Sequence, residues 1–279
     1  MEFQANEGKS VTIEANGRTY ARHAIQTHFV QVGERYIDLM EQYVRPHYQE
    51  GDILSMSEKV IAMCQKRVVT EEQVKPGFWA KLLSRFVHQT SAGPGMGLPV
   101  KMQFAINVCG LGRVLWAAVC AAFDKLRGKK GTFYVMLGQE VSGLDGFYGH
   151  EIPEYEHMGV RIPENPEGVC DEIYEKTGIL SMIVDANDLN VEMLGHCSKL
   201  AQSDEELLAL IRDNPAGQDR QLTPFILVRE VPAEAAAPIE AAESIEAAES
   251  IETAETAEPT EPVDPTESAA PVEAAEPAQ

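Results

Sequence analysis

The chain has 279 residues, with 44 Asp or Glu against 23 Lys or Arg and a formal net charge of −21. From residue 231 onwards there are 13 acidic residues and no basic ones, so the preceding part carries only −8. A mildly acidic folded part lacks the basic stripe that nucleic-acid binding usually needs. We therefore expect no nucleic-acid partner.

Targeting and cross-linking signals are missing from the sequence. The five cysteines lie far apart without a CxxC pair, which predicts neither a disulfide framework nor a structural zinc site. The N-terminus has no basic region and no apolar core of a signal peptide. The longest apolar run, 108–123, is shorter than the roughly 20 residues of a membrane span and is interpreted as a buried helix. We expect a cytoplasmic protein with no membrane partner.

The first predicted element is a hairpin. Residues 11–14 and 18–22 flank Asn16-Gly17, a dipeptide that accepts the positive φ angles of a tight turn. A helix is predicted at about 33–43, followed by a short strand at 53–56 that runs into residues 57–63. A second helix, at about 77–88, is expected to bury its large apolar side chains, which are Trp79, Leu82, Leu83 and Phe86.

The middle of the chain begins with a glycine-rich loop at 91–99. A long apolar helix is predicted from about residue 102 to 126, bent at Gly110 and Gly112. Residues 132–137 are interpreted as a buried strand that ends at the loop 143–146. A further helix reaches Lys176 and stops at Gly178.

The last predicted elements are a strand at 179–184 that ends in Asp185, a helix that begins with a capping box at 203–206, and a strand at 223–228. Mixed helices and strands, several of them wholly apolar, predict a mixed α/β domain (α/β or α+β) with a covered sheet. We place this domain at residues 1–230.

Residues 231–279 differ in kind. A six-residue repeat based on IEAAES gives way to a proline-rich acidic stretch. Its isoleucines form no helical stripe, and like charges with few large apolar groups cannot offset chain entropy. We predict a disordered tail that solubilises or tethers the domain, and the alternative is an arm that binds a basic partner.

Two carboxylates stand out because each is predicted where a strand gives way to a loop. Asp145 and Asp185 could present hard oxygen ligands to magnesium or manganese, or each could merely form an Asx turn. Asp188 could add a ligand or cap a helix. Glu58 and Lys59 follow a predicted strand and could lie near a phosphate or form a solvated pair.

Other polar candidates carry weaker signals. The loop 93–97 could approach a phosphate with its backbone amides or be a plain connector, and it matches no phosphate-loop motif. The seven histidines show no metal-ligand spacing and are interpreted as structural or surface residues. No nucleophile motif is present, so catalytic residues are not assigned.

Three blocks of sequence, in the same order, resemble the coenzyme F420-0:L-glutamate ligase (γ-glutamyl ligase) family. Residues 51–60, running on to 67–69, resemble its early GD-strand-KVVS-GRVV segment. Residues 143–145 resemble its GID metal loop. Residues 163–166, the next helix and residues 183–185 resemble its PxDP-helix-strand-DT block.

The resemblance implies a ligase that uses GTP and a divalent metal to join glutamate to a carboxylate of a deazaflavin coenzyme through an acyl phosphate. It places Asp145 and Asp185 as metal ligands, with Glu58 and Lys59 near the nucleotide, and suggests a homodimer. The chain departs from the family's lysine at Met63, its glycine at Lys66, its asparagine at Tyr148 and its threonine at Ala186. Residues 77–130 resemble an insertion. The alternative is a non-catalytic binding or regulatory protein on the same fold.

Overall fold

A computed structural model describes residues 3–87, 95–129, 131–147, 152–187, 190–217 and 220–232. These residues all belong to the first of two units of the chain, Met1–Glu240. Residues 233–279, where the acidic tail is predicted, lie outside them. The described part mixes strands with helices, as the predicted fold class requires.

The strands form two sheets. They are β1 (Thr12–Ala15), β2 (Arg18–Ile25), β3 (Ile53–Ser57), β4 (Val68–Thr70), β5 (Asp145–Gly146), β6 (Met158–Val160), β7 (Leu180–Ala186), β8 (Val191–His196) and β9 (Phe225–Val231). Among the described residues the large sheet has the order β1-β2-β9-β3-β7-β8, and the small sheet has the order β4-β6-β5. In the large sheet β3 and β7 run parallel and the other neighbours run antiparallel.

The helices include those predicted from the sequence, together with others that were not predicted as helices, such as 132–137 and 139–142. They are α1 (Tyr36–Leu39), which continues as a π-helical turn (Met40–Val44), α2 (Glu58–Cys64), α3 (Phe78–Ser84), α4 (Pro99–Cys109), α5 (Leu111–Leu126), α6 (Thr132–Leu137), α7 (Gln139–Ser142), α8 (Pro166–Thr177) and α9 (Asp204–Ala209). Single 3-10 turns cover Gly95–Gly97 and Pro153–Tyr155.

Local sequence signals account for several element boundaries. Asn16 and Gly17 take φ values of 53° and 73°, which match the tight turn of the predicted β1–β2 hairpin. The capping box of α9 forms, with Ser203 and Glu206 exchanging hydrogen bonds. Gly178 ends α8 with φ 73°, in the left-handed region.

The main core lies between the large sheet and the helices that cover it. Strands β3, β7 and β9 supply its centre, where Leu54, Ile183 and Phe225 are completely buried. Helix α8 packs on β7 and β8, and the π-helical turn adds Met40. This core positions the ends of β3 and β7, which matter for the site described below.

Helices α3 to α7 form a second layer, residues 78–142, which we call the helical layer. Its own core is small and contains mostly small or flexible side chains, among them Ala80, Ala105, Val114 and Ala117. The predicted break in the long apolar helix is confirmed at Gly110 (φ 80°), where α4 and α5 bend by 115°. Within the described ranges no single helix could cross a membrane, while α4 and α5 pass that test together as a bent pair.

Three predictions about the helical layer are wrong. Residues 132–137 form helix α6, not a buried strand. So short an apolar run shows no period, so the sequence pattern cannot separate a strand from a helix. Gly131 and Gly138, both with positive φ, bound the helix. Trp79 and Phe86 are 44% and 74% exposed, since α3 buries Ala80 and Ser84 instead. The run 108–123 is not a buried helix: α5, all of whose residues are described, buries two of its sixteen side chains.

Candidate functional site

Glu58 and Asp185 meet at one edge of the large sheet. Strands β3 and β7 are parallel, and their register pairs Ser57 with Val184, so the next residue of each strand comes to the same edge. Glu58 begins α2 and is 8% exposed. Asp185 lies one residue before the end of its strand, close to the predicted position, and the chain then turns back as β8. Its place beside Glu58 follows from strand pairing.

Asp145 reaches the site from the small sheet. It does not follow a strand, as the sequence suggested; it begins the two-residue strand β5 after α7 and Gly143. The next residue must be glycine, because Gly146 has φ 83° and a Cβ there would lie 2.1 Å from the carbonyl oxygen of Met158. The Gly146 backbone N–H donates to Asp145 Oδ1 at 2.8 Å. Tight backbone packing thus fixes the position of this carboxylate.

Lys59 connects the two sheets. Its ammonium group forms a salt bridge with Asp145. It also lies 5.9 Å from the ring centroid of Tyr155, a cation–π distance. Tyr155 packs against Phe29 and places its hydroxyl 3.6 Å from the sulfur of Met63. Lys59 therefore occupies the space between the predicted carboxylates, which supports its prediction as a site residue.

Two charged residues of the site were missed by sequence reasoning. Lys101 on α4 is 4% exposed, and its Nζ donates to the carbonyl of Leu144 at 3.1 Å, next to Asp145. Glu192 on β8 pairs directly with Asp185 in the β7–β8 ladder. Lys101 could have been recognised as the single lysine within the apolar α4 segment. Glu192 could have been recognised only from the hairpin that brings β8 back past Asp185.

Electrostatics couple these groups. Burial, reinforced by the nearby Asp185 carboxylate, raises the pKa of Glu58 to about 8. Burial also raises the pKa of Asp185, with Asp145 and Glu192 acting in the same direction and Lys59 opposing them. Burial lowers the pKa of Lys101 while Asp145 partly restores it. Glu58 and Asp185 therefore both resist ionisation. The positive charge of Lys59 does not fully offset the effect of burial on the pKa values of these two carboxyl groups.

Arg67 links segments that lie in or beside the three sequence blocks. It is 8% exposed, forms salt bridges with Glu140 and Glu164, and donates from Nε to the carbonyl of Ile162 at 2.5 Å. Glu140 lies just before the 143–146 loop, and Glu164 belongs to the 163–166 block. Arg67, in the first block, therefore binds both the third block and the short helix that precedes the second block.

Asp52, in the first block, is structural. It is 2% exposed and receives two hydrogen bonds from Arg229 on β9, at 2.7 and 2.6 Å. It also accepts the backbone N–H of Gln49 at 2.8 Å. This buried ion pair fixes the start of β3 and keeps Asp52 away from the site edge, which lies at the other end of that strand.

The donor chemistry of the site fits a divalent cation of the magnesium or manganese type. Such ions prefer carboxylate oxygens, which Glu58, Asp145, Asp185 and Glu192 supply, and a cation would favour the ionised carboxylates against the burial and repulsion that raise the pKa values of Glu58 and Asp185. Across the described ranges no three His, Cys, Asp or Glu side chains are grouped as a ready ligand set. Asp188, predicted as a ligand or a cap, lies outside those ranges.

The histidines we can describe lie away from this site. The rings of His23 and His47 are 4.8 Å apart beside a cavity of about 680 Å³. Burial, with His47 and Arg229 adding to it, lowers the pKa of His23 to about 4. Its Nδ1 accepts the backbone N–H of Gln4 at 3.0 Å. This bonding fits the structural role predicted for His23.

Three of the four departures from the family lie among the described residues, and Ala186 is the last residue of β7. Met63 is buried and contacts the Tyr155 hydroxyl. Lys66, where the family has glycine, takes a φ of 59°, in the left-handed region that favours glycine. Tyr148 and residues 93–94 of the loop 93–97 lie outside the described residues. The backbone at residue 66 thus has a conformation that glycine adopts most readily.

No protein-family model matches this chain, and no curated protein matches it either.

Proposed function

We propose that the chain is a metal- and nucleotide-dependent ligase-like enzyme that joins glutamate to a carboxylate of a deazaflavin coenzyme or a related small-molecule acceptor. One observation carries the proposal. Glu58, Lys59, Asp145 and Asp185, which come from separate sequence blocks, lie within electrostatic range of one another. They are the residues that the family resemblance selects.

In the proposed reaction the γ-phosphoryl group of GTP passes to the acceptor carboxylate, which gives an acyl phosphate and GDP. The glutamate amine then attacks the acyl carbon and phosphate leaves as the amide bond forms. A divalent metal, when bound, supplies charge neutralisation to the phosphates. Asp145 and Asp185 would hold it, from the small and the large sheet respectively.

The chain's own cations suit phosphate binding. Lys59 is partly exposed at the meeting point of the sheets, so its ammonium group can contact a phosphate oxygen from the solvent side. Lys101 is buried behind Asp145. Arg67 positions the loops without facing the carboxylate cluster. In this proposal Lys59 binds phosphate, and Lys101 sets the charge and place of the Asp145 loop.

The first test is calorimetric titration of GTP into the full chain with and without Mn²⁺. We expect Mn²⁺-dependent binding that weakens at least about tenfold in Asp185→Asn, because one hard ligand is lost. Asp38→Asn is the matched control, since Asp38 is an exposed aspartate on α1. Equal loss in both variants, or GTP binding that ignores Mn²⁺, would contradict the metal site.

The activity itself needs a second measurement. The full chain is incubated with GTP, Mn²⁺, glutamate and the deazaflavin acceptor, and mass spectrometry follows GDP and the glutamyl product. Production of both, lost in Lys59→Met, supports the ligase. GTP and metal binding without product would limit the proposal to a related acceptor.

The second candidate is a non-catalytic binding or regulatory protein on the same fold. It is favoured by Met63, which replaces a family lysine with a buried apolar side chain, and by the Lys59–Asp145 salt bridge, which already neutralises one proposed ligand. Absence of both GTP and Mn²⁺ binding by the full chain is the result that this candidate predicts.

A further inference from the structure

Basic and acidic residues are distributed unevenly along the chain, which the net charge of the whole sequence does not show. Residues 75–138 contain nine Lys or Arg and a single acidic residue, Asp124, a net charge of +8. The remaining residues contain 14 Lys or Arg and 43 Asp or Glu, a net charge of −29. The expectation that no basic region exists, which rested on the average, is wrong for this segment. It coincides with most of the helical layer.

Helix α5 places its large side chains outward. Trp116, Val119, Phe123 and Leu126 are 62%, 58%, 58% and 87% exposed. Their spacing puts them on one side of the helix. The two side chains that α5 buries, Val114 and Ala117, are small. A helix that exposes its aromatics and buries its small residues is adapted to contact something other than its own domain.

Two further helices of the layer share this property, α6, which packs on α5, and α3, which packs on α4. Phe78 and Phe86, on and just after α3, and Val135, on α6, are more than 70% exposed. Of the ten large apolar side chains that are exposed among the described residues, nine lie between 78 and 135. Both tryptophans of the chain are among them. A shallow groove of about 450 Å³ between α5 and α6 is lined in part by Trp116, Phe123 and Met136.

Basic side chains border the apolar ones. Lys125, Arg127 and Lys129 are exposed at the end of α5, and the Arg127 guanidinium lies 5.0 Å from the ring centroid of Phe123. On α3, Lys81 is exposed near Phe78 in sequence, and Arg85 follows directly after that helix. Aromatic and aliphatic groups next to lysine and arginine are the composition of helices that lie in a membrane interface.

We propose that the exposed face of α5, with the adjoining residues of α6, docks on the surface of an anionic lipid bilayer. The tryptophan and phenylalanine rings enter the headgroup region, and the lysines and arginines contact lipid phosphates and carboxylates. The helices lie along the surface, and the 115° bend between α4 and α5 suits such a position. The proposal is independent of the proposed ligase activity.

Other partners fit the face less well. A symmetric dimer through this face would bring two segments of charge +8 together, because a two-fold interface uses the same surface twice. Nucleic acid would match the charge, but it offers no apolar layer to the aliphatic Val119 and Leu126. Both alternatives give distinct results in the test below.

The test is co-sedimentation of the full chain with vesicles of phosphatidylcholine alone and of phosphatidylcholine mixed with phosphatidylserine. We expect binding to the mixed vesicles that falls with salt, together with a blue shift of tryptophan emission, since both tryptophans lie on the helical layer. Failure to bind the mixed vesicles, or binding to both kinds equally, would overturn the proposal.

Charge-matched variants locate the contact. Lys125→Gln, Arg127→Gln and Lys129→Gln together should weaken binding roughly 10- to 100-fold. Arg18→Gln, Arg35→Gln and Lys199→Gln make the same charge change at exposed sites on other elements and should leave binding unchanged. Phe123→Ser should remove the spectral shift. Equal weakening by the two triple variants, a dimer that Phe123→Ser dissociates, or tighter binding to RNA than to vesicles would each overturn the proposal.

Discussion

The sheet region and the helical layer use apolar residues in opposite ways. Around the large sheet, big side chains such as Leu54, Met56 and Phe225 point inward and are completely buried. In the helical layer small residues such as Ala105 and Ala117 make much of the core, and both tryptophans are exposed while Phe104 is buried. The first region is built for its own stability, whereas the second reserves its apolar surface for contact with a partner.

The two regions also differ in how they handle charge. The sheet region contains ion pairs with one buried partner, Arg22 with Asp213 and Asp52 with Arg229. The basic residues at the end of α5 are exposed. Charge therefore contributes to internal specificity in one region and to external attraction in the other.

The largest expected effect comes from the buried ion pair of the sheet region. Arg229→Met leaves Asp52 as an uncompensated buried carboxylate, which should lower the free energy of unfolding by about 3–5 kcal/mol. Urea denaturation followed by circular dichroism measures it. Arg18→Met, which breaks the exposed Arg18–Glu230 pair between β2 and β9, is the control and should change little. Similar effects of both variants would show that burial does not set the value.

Truncation of one large side chain in each region tests the comparison directly. Ile183→Ala removes a completely buried side chain from β7 and should cost about 2–4 kcal/mol of unfolding free energy. Phe123→Ala removes a larger side chain from the exposed face of α5 and should cost less than about 1 kcal/mol. The same urea titrations measure both. A larger cost for Phe123→Ala would mean that this face stabilises the fold rather than serving a partner.

The sequence was a good guide where a local pattern has a single structural meaning. Asn16-Gly17 gave the hairpin, and Ser203 with Glu206 gave the capped helix. Asp145 and Asp185 were singled out as residues at strand ends and by resemblance, and the first reason is wrong for Asp145, which begins a strand, and right to within one residue for Asp185. The approach of Glu58 to Asp185 depends on parallel pairing of β3 with β7, which one sequence does not reveal.

The helical layer was harder to predict because its apolar residues were assumed to be buried. Trp79 and Trp116 have the same local pattern whether they face a core or a partner, so periodicity cannot separate the two cases. Lys101 was missed for the converse reason, since a lysine on an apolar helix resembles a surface residue until α4 packs over the 143–146 loop. The uneven charge of residues 75–138 was the available signal.

The carboxylate site gives a pH-dependent prediction for the sheet region. Below about pH 4.5 the Glu58 side chain is protonated in both the folded and the unfolded chain. As the pH rises, Glu58 ionises first in the unfolded chain, because burial raises its pKa in the folded chain to about 8. The free energy of unfolding therefore decreases with pH until the folded pKa is reached. Glu58→Gln should therefore be more stable than the native chain by about 3–5 kcal/mol at pH 8.5, and by less than about 0.5 kcal/mol at pH 4.5. Urea titrations at the two pH values measure this difference. A constant difference would show that Glu58 does not titrate as described.

The smallest effect concerns the turn between α2 and β4, next to the site. Lys66 has φ 59°, a conformation that costs a side-chain-bearing residue about 1–2 kcal/mol. Lys66→Gly removes this strain but adds unfolded-chain entropy, for a net gain of about 0.5–1 kcal/mol in thermal or urea unfolding. Lys66→Ala keeps the strain and loses the side chain that packs near Gly33, so it should give no gain. If glycine and alanine behave alike, the backbone at residue 66 is unstrained, and its likeness to the glycine position of the ligase family loses its physical basis.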